Sequence, residues 1–469
     1  MSLLNNLLSF IPEIKKPTGR LTFSEKLKWT ILTLVAFFIL GVIPLYGLGN
    51  NALSQFEQLS VILGASFGSI LSLGIGPIVT ASIVLQLLAG SGILKINTNT
   101  PEGRTFFQSL QKILTIFFII FEASVYVFLG GLSPAAELRG TSSFFTLQLL
   151  LVLQLFIGGI LVMFMDDLLN KWGFGSGISL FIAAGVSSEI IVRALSPLNS
   201  IGQWAFGSGQ GPVGAILVFF TSLIAGAPQE AFLALAAVVA TIVIFVLSVY
   251  VQAMKVEIPL SFGRVRGFGY RWPLNFLYTS NMPVILVAAL LANIQLWARL
   301  LQNYGHPFLG TFTGNTPASG IVLWLEVPKL VHNLLTGTFT FFDIWQALLY
   351  TLFLIGGAVI FSIFWVQTSG MDAKKQAQQI MASGLQIPGF RRDERIVEHI
   401  LERYIFPLTI MGGATIGLLA ATADLLGALA RGTGILLTVM IIYRLYEDIA
   451  KQHMIDMHPA LRKMMGGES

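Results

Sequence analysis

Cysteine is missing from all 469 residues, so neither a disulfide nor a thiolate metal site can form. Charge is also scarce. Asp, Glu, Lys and Arg make up 11% of the chain, where soluble domains carry roughly 25%. So little charge cannot coat a water-facing surface, and the mean hydropathy of +0.78 points to lipid as the solvent. The five histidines, at 306, 332, 399, 453 and 458, all fall between or after the apolar runs. There is no Gly-x-x-x-x-Gly-Lys-Ser/Thr phosphate loop and no His-Glu-x-x-His pair. Paired acids inside the apolar runs are wanting too, so metal or acid–base catalysis has no residues to run on. The sequence predicts no enzyme, no cofactor and no metal. The first 28 residues are mixed and polar, without the apolar core of a cleavable signal peptide.

What the chain does have is long apolar runs. A helix needs about 20 mostly apolar residues to cross the hydrocarbon core. Ten stretches qualify: 29–47, 72–91, 113–132, 145–166, 177–194, 232–253, 276–297, 345–366, 405–425 and 433–450. They do not alternate polar and apolar as barrel strands would, so helices are the reading. Ten spans put both termini on one side. That side collects all but five of the 28 lysines and arginines, the exceptions being Arg139, Arg193, Arg299, Lys329 and Arg431. The asymmetry predicts that both termini are cytoplasmic. Residues 1–28 and 451–469 are then cytoplasmic, 195–231 is an external connection, and 253–272 and 367–403 are long cytoplasmic loops. The apolar stretch 213–225 is too short to cross, and 319–335 reads as part of an external loop.

One apolar stretch does not suit a simple span. Phe56 to Leu94 is 39 residues, too long for one helix, yet two crossings would put Lys95, Arg104 and Lys112 on the wrong side. A short helix that dips in at 56–71, breaks at Gly74-Ile75-Gly76-Pro77 and continues as a span resolves this. Irregular backbone at membrane depth is tolerated only against protein or a water-filled cavity, so a cavity is expected beside 56–76. The competing reading is a long kinked span facing lipid.

A faint repeat supports the cavity. Gly175-Ser176-Gly177-Ile178 opens span five and Gly432-Thr433-Gly434-Ile435 opens span ten, while Pro77 and Pro283 precede similar apolar runs in spans two and seven. Five spans per half is odd, so the halves have opposite orientation and a cavity lies on the axis between them. Close-packing glycines in any membrane helix would give a similar pattern.

Glu122, in Phe-Phe-Ile-Ile-Phe-Glu-Ala-Ser, is the clearest charge inside a span. It is either functional or a structural carboxyl bonded across helices to Ser or Thr. Asp166-Asp167, Glu189 and Asp424 lie near span ends and read as solvated or capping groups. The loops 253–272 and 367–403 interleave Arg with Gly and aromatics, which suits phosphate contact with RNA and equally suits simple orientation charge.

Six motifs then resemble one family. They are Thr22 to Thr30 (Thr-Phe-Ser-Glu-Lys-Leu-Lys-Trp-Thr), Leu73 to Ala81 (Leu-Gly-Ile-Gly-Pro-Ile-Val-Thr-Ala) and Gly175 to Ile182 (Gly-Ser-Gly-Ile-Ser-Leu-Phe-Ile). Ser280-Asn281-Met282-Pro283-Val284-Ile285-Leu286, Gly389-Phe390-Arg391-Arg392 and Gly432 to Leu437 complete the set. In order, and across essentially the whole chain, they resemble the archaeal SecY family, the alpha subunit of the Sec translocon. Met282 stands where Ile is frequent.

The resemblance implies an all-α membrane protein of ten transmembrane helices in two inverted five-helix halves, residues 29–194 and 232–450, around an hourglass pore. It implies a plug near 56–70 and an apolar ring of Ile75, Val79, Ile178, Ile182, Ile285 and Leu437. A ring of branched aliphatics can seal against ions by dewetting, yet pass an extended polypeptide of any sequence. Thr80, Gln86 and Asn281 match the polar cluster of a lateral gate, through which signal sequences reach the membrane lipid. Arg264, Arg266, Arg391 and Arg392 match the ribosome-docking loops. Partners implied are a SecE/gamma-type subunit, a small beta subunit, and the ribosome with its nascent chain. The implied location is the cell (plasma) membrane and the implied function a protein-conducting channel. The rival from another class is a secondary transporter of a small solute, which would also use an inverted repeat but needs a coupling constellation in its spans.

Overall fold

A computed structural model describes residues 14–19, 21–51, 66–90, 93–94, 100–138, 140–199, 203–205, 211–262, 269–279, 282–303, 305–313, 316–382, 385–386 and 393–457. The first half of the chain builds α1 (Phe23–Val42), α2 (Gly76–Gly90), α3 (Pro101–Phe128), α4 (Ser142–Trp172) and α5 (Gly177–Leu195). A short α6 (Ala215–Ile224) leads into α7 (Pro228–Ala253). Then follow α8 (Met282–Asn303), two short helices α9 (Ile321–Trp324) and α10 (Leu330–Thr336), and α11 (Phe341–Ser369). The chain closes with α12 (Ala373–Ala382), α13 (Glu394–Leu425) and α14 (Gly432–Met457).

Seven of the described helices, α3, α4, α5, α7, α8, α11 and α13, are long and apolar enough to cross a membrane. The other three spans are α1, α2 and α14. Charge at their ends disguises α1, which opens on Glu25, Lys26 and Lys28, and α14, which carries Arg444, Glu447 and Asp448. The third, α2, is short at 15 residues because the preceding stretch is not helical. Ten spanning helices in two inverted halves are the architecture.

Local chemistry sets the helix starts. Thr22 and Glu25 form a capping box on α1, with Glu25 Oε2 accepting from the Thr22 amide at 3.0 Å. Thr340 and Asp343 do the same for α11, and Thr100 with Pro101 starts α3. Residues 276–279, expected to open span seven, are not helical. Helix α8 begins at Met282, because Pro283 lacks an amide hydrogen and suits the first turn, where that hydrogen would go unpaired.

The two halves repeat their packing. Helix α2 lies against α3 as α8 lies against α11, and α3 against α4 as α11 against α13. The halves meet where α5 packs on α14 and where α2 touches both α8 and α11. Burial follows position. Within its most apolar stretch α8 is 67% buried, while α7 is 22% buried and shows Phe232, Val239, Ile242 and Val246 to the surroundings. Lipid makes such exposure favourable. The short α6 lies alongside α7 through Val218 and Phe219, against Ala234, Ala237 and Val238, and does not cross.

Residues 52–65, which hold most of the expected plug, lie outside the described residues. The part described, 66–75, runs as turns, with Gly68 and Gly74 at φ of 95° and 53°. Left-handed backbone of that kind favours glycine. Leu71, Leu73 and Ile75 are each 1% exposed. No helix continues unbroken from 66 into α2, and this irregular stretch is packed in protein. A kinked rod facing lipid is therefore not what the chain makes here.

The two long basic loops share one sheet. β1 (Lys255–Phe262) and β2 (Gly269–Asn275) pair antiparallel from Lys255↔Asn275 to Ser261↔Gly269. A strand of the later loop, Leu385–Gln386, joins the other edge of β1 through Ser261↔Gln386. Beneath the sheet, Ile258 and Leu274 pack with Ala377, Ile380, Val397 and Leu401 of α12 and α13.

Candidate functional site: a central aliphatic seal and its polar flank

Four helices from both halves converge at the middle. Val79 donates its amide to Ile75 O at 3.0 Å, so these two residues share one face at the start of α2. Ile178 and Ile182 share a face of α5 in the same way. Ile285 comes from α8 and Leu437 from α14. All belong to one apolar cluster: Ile75, Val79, Ile182, Ile285 and Leu437 form part of its buried core and Ile178 packs against it. Exposure is 1% for Ile75, 3% for Val79 and Ile285, and 0% for Ile182 and Leu437. These five side chains are buried, in a cluster made mostly of branched hydrocarbon.

The flank of this cluster is polar. Thr80 follows Val79 and its hydroxyl lies 3.0 Å from Glu122 Oε1 on α3 and 2.9 Å from Gly76 O. Asn293 of α8 donates from Nδ2 to the same hydroxyl at 3.4 Å. One threonine thus ties α2 to α3 within the first half and to α8 across the halves. Glu122 is 2% exposed and its Oε2 has no partner among the described residues. Close by, Gln111 of α3 donates to Ser82 of α2 at 2.6 Å. The Phe121 and Trp297 rings meet at 6.3 Å, joining α3 to α8 by an edge contact.

Thr80 is at the junction. Gln86 is six residues, about 9 Å, further along α2; it is 8% exposed and its Oε1 lacks a partner among the described residues. Asn281 lies outside the described residues. The sequence offers Glu122 as functional or as a structural carboxyl bonded across helices to Ser or Thr, and the Thr80 bond is of the second kind; it passes over Asn293. The signal for Asn293 was available: an amide in the apolar run Leu-Leu-Ala-Asn-Ile is the kind of side chain that bonds across membrane helices.

Arg264, Arg266, Arg391 and Arg392 also lie outside the described residues. Their flanks are described, and they bring the two loops together. Segment 263–268 connects β1 to β2, and segment 387–392 follows the strand paired to β1. On that sheet Arg271 and Glu257 form an exposed pair at 3.0 Å.

Comparison with known proteins agrees with this arrangement. The SecY family profile matches residues 69–446, and the profile for the plug domain of Sec61p matches residues 35–68. The protein translocase subunit SecY of Methanothermobacter thermautotrophicus is 46% identical over 464 residues, which cover 98% of each chain. A solved protein-conducting channel superposes with a TM-score of 0.82 at 40% identity, over 97% of this chain and 99% of that one. Sec61 in the canine ribosome-channel complex from the endoplasmic reticulum superposes with a TM-score of 0.79, also at 40% identity, over 97% and 99%. A profile spanning most of the chain, and relatives this similar over nearly all of it, leave one conclusion: this chain belongs to the SecY family.

Proposed function

We propose that this chain is the central pore-forming subunit of a Sec protein-conducting channel. It passes unfolded polypeptides across a membrane and releases hydrophobic segments sideways into lipid. The observation that carries this reading is the buried cluster of Ile75, Val79, Ile182, Ile285 and Leu437, contributed by both halves, with Ile178 partly buried against it. Branched hydrocarbon offers no hydrogen bonds and so no sequence preference. It parts for an extended chain and closes by dewetting when the chain has gone.

Sideways release uses the seam between α2 and α3 on one side and α8 and α11 on the other. Interhelical hydrogen bonds in a membrane are worth about 0.6–2 kcal/mol each. Of the Thr80 bonds only the one from Asn293 crosses the seam, so it holds the seam with about 0.6–2 kcal/mol. A signal helix gains roughly 0.3–0.6 kcal/mol per Leu, Ile, Phe or Val placed at mid-membrane. Eight to ten such residues outweigh the seam, and a polar segment does not. The gate thus sorts by hydrophobicity, with Thr80 at its centre and Gln86 further along α2; Asn281 completes its polar set.

The segment near 56–70 is the plug, resting against the seal from the external side. The basic loops, through Arg264, Arg266, Arg391 and Arg392, dock on ribosomal RNA. The ribosome supplies the nascent chain, a SecE/gamma-type subunit clamps the two halves, and a small beta subunit attaches at the edge. Both termini are cytoplasmic and the membrane is the cell membrane, as the distribution of Lys and Arg supports. The direct test is reconstitution of the chain with its small subunits into liposomes. Import of a signal-bearing precursor, with none when the signal is deleted, is expected. Uptake of small solutes without precursor import would refute the proposal.

A further inference from the structure

We infer that Asp166 and Asp424 are a matched pair of positioning residues. Each clamps the start of one of the two helices that join the halves behind the seal, α5 and α14. The inference rests on the reading of the aliphatic cluster as the seal, and adds what holds that seal in register.

In the first half, Asp166 sits near the end of α4. Its Oδ1 accepts the amide of Ile178, in the first turn of α5, at 2.9 Å. The neighbouring Gly177 leaves room for this: a Cβ there would lie 2.6 Å from Asp166 Cα and 2.7 Å from Oδ1. In the second half, Asp424 sits near the end of α13. Its Oδ1 accepts the amide of Gly432, the first residue of α14, at 2.6 Å. A Cβ on Gly432 would lie 2.2 Å from Ala420 O and 2.5 Å from Ala423 Cβ. Each half therefore uses a carboxylate near the end of its fourth span and a glycine at the start of its fifth. The two devices lie on opposite membrane faces, as the inverted repeat requires.

Ordinary capping accounts for part of this. The first amides of a helix have no partner within it, and the positive end of the helix dipole favours a carboxylate. The position of the two helices goes further. Helices α5 and α14 pack on each other across the halves. The contact is close, since a Cβ on Gly434 would lie 3.1 Å from Val186. Together they carry Ile178, Ile182 and Leu437, and Ile178 is itself the residue whose amide Asp166 holds. A clamp at this point fixes the azimuth of the seal residues, because rotation of α5 by one residue turns Ile182 away by about 100°.

The two carboxylates are also specifically engaged. Asp167, next in sequence, is committed elsewhere, to Lys171 at 3.0 Å and to the Ile14 amide at 3.2 Å. That leaves Asp166 to face α5. The second oxygen of Asp424 accepts the Tyr350 hydroxyl of α11, which locks the clamp to a third helix.

The test uses the reconstituted complex with Asp166→Ala, Asp424→Ala, Asp166→Asn and Asp424→Asn. Amide hydrogen exchange over 176–180 and 430–435 reads the clamps, and resting ion flux reads the seal. Each Ala variant is expected to exchange about tenfold faster in its own segment, the equivalent of one charge-assisted hydrogen bond. Each is also expected to raise resting flux. Each Asn variant keeps the Oδ1 acceptor and is expected to stay near wild type on both readouts. Faster exchange without added flux, or no change in either, overturns the inference. So does an Asn variant that fails as the Ala variant does, because that points to general packing. The variant Ile75→Gly/Val79→Gly/Ile182→Gly is measured alongside. If it too is tight, the seal reading has failed, and exchange alone then judges the clamps.

Discussion

Replacing Ile75, Val79 and Ile182 together by glycine should make the resting channel conduct ions. These side chains are at most 3% exposed, stand on α5 and at the start of α2, and share one apolar cluster with Ile285 and Leu437. Each removed side chain is larger than the roughly 30 Å³ that a water molecule occupies in the liquid. Three neighbouring deletions open room for a file of water, where single trims do not. Ile182→Val removes one methylene, costs about 0.5–1.5 kcal/mol and should stay dry. The contrast between graded trimming and a threshold leak is the signature of dewetting, because a narrow apolar neck excludes water until it reaches a critical width. The assay is dye-reported ion flux in liposomes holding equal amounts of each variant, with melting temperature and precursor import measured on the same preparations. The triple variant should exceed wild-type flux at least tenfold, and Ile182→Val should match wild type. A triple variant that imports precursor normally and stays ion-tight would refute the reasoning, since something other than these residues would then close the centre.

Other perturbations test the flank, the loops and the packing. Thr80→Val removes the partner of both Glu122 and Asn293, and should shift the closed-to-open ratio about 3- to 30-fold towards open, from about 0.6–2 kcal/mol of lost bonding. Single-molecule energy transfer between α3 and α8 would report it, and an unchanged open fraction would argue that the polar links do not hold the seam. Reversing Arg391 and Arg392 to Glu should weaken ribosome binding and flatten its salt dependence, with a slope lower by about 0.9 for each lost phosphate contact. Equal affinity at low salt would mean these loops only set orientation. Gly158→Ala puts a Cβ 2.0 Å from the Ile70 carbonyl oxygen, which should destabilise the fold by about 1–3 kcal/mol and push segment 66–75 off α4. A melting temperature equal to wild type would show that this close approach is not needed.

Sequence alone determined the spans, the orientation charge and the repeat, because these are one-dimensional properties. A span is a run of apolar residues as long as the bilayer is thick, and an inverted repeat shows as the same glycines and prolines twice. The break before α2 was legible for a similar reason, since Gly74, Gly76 and Pro77 oppose a continuous helix. Span ends were less legible. Helices α3 and α13 begin at Pro101 and Glu394, well before their apolar runs, because charged residues such as Glu102, Arg104, Arg395 and Glu398 hide the helix from hydropathy. Helix α8 begins at Met282, later than the expected 276. Partnership between distant residues was beyond reach. Glu122 was legible as a carboxyl able to bond across helices to Ser or Thr, but only the packing of α2, α3 and α8 could pick out Thr80 and bring Asn293 to the same hydroxyl. Asp166 and Asp424 looked like two unrelated span-end acids, and tertiary structure made them equivalent. Composition records which solvent each segment prefers. Which side chains meet is decided by the rotation and depth of each helix, and those are set by contacts among residues far apart along the chain.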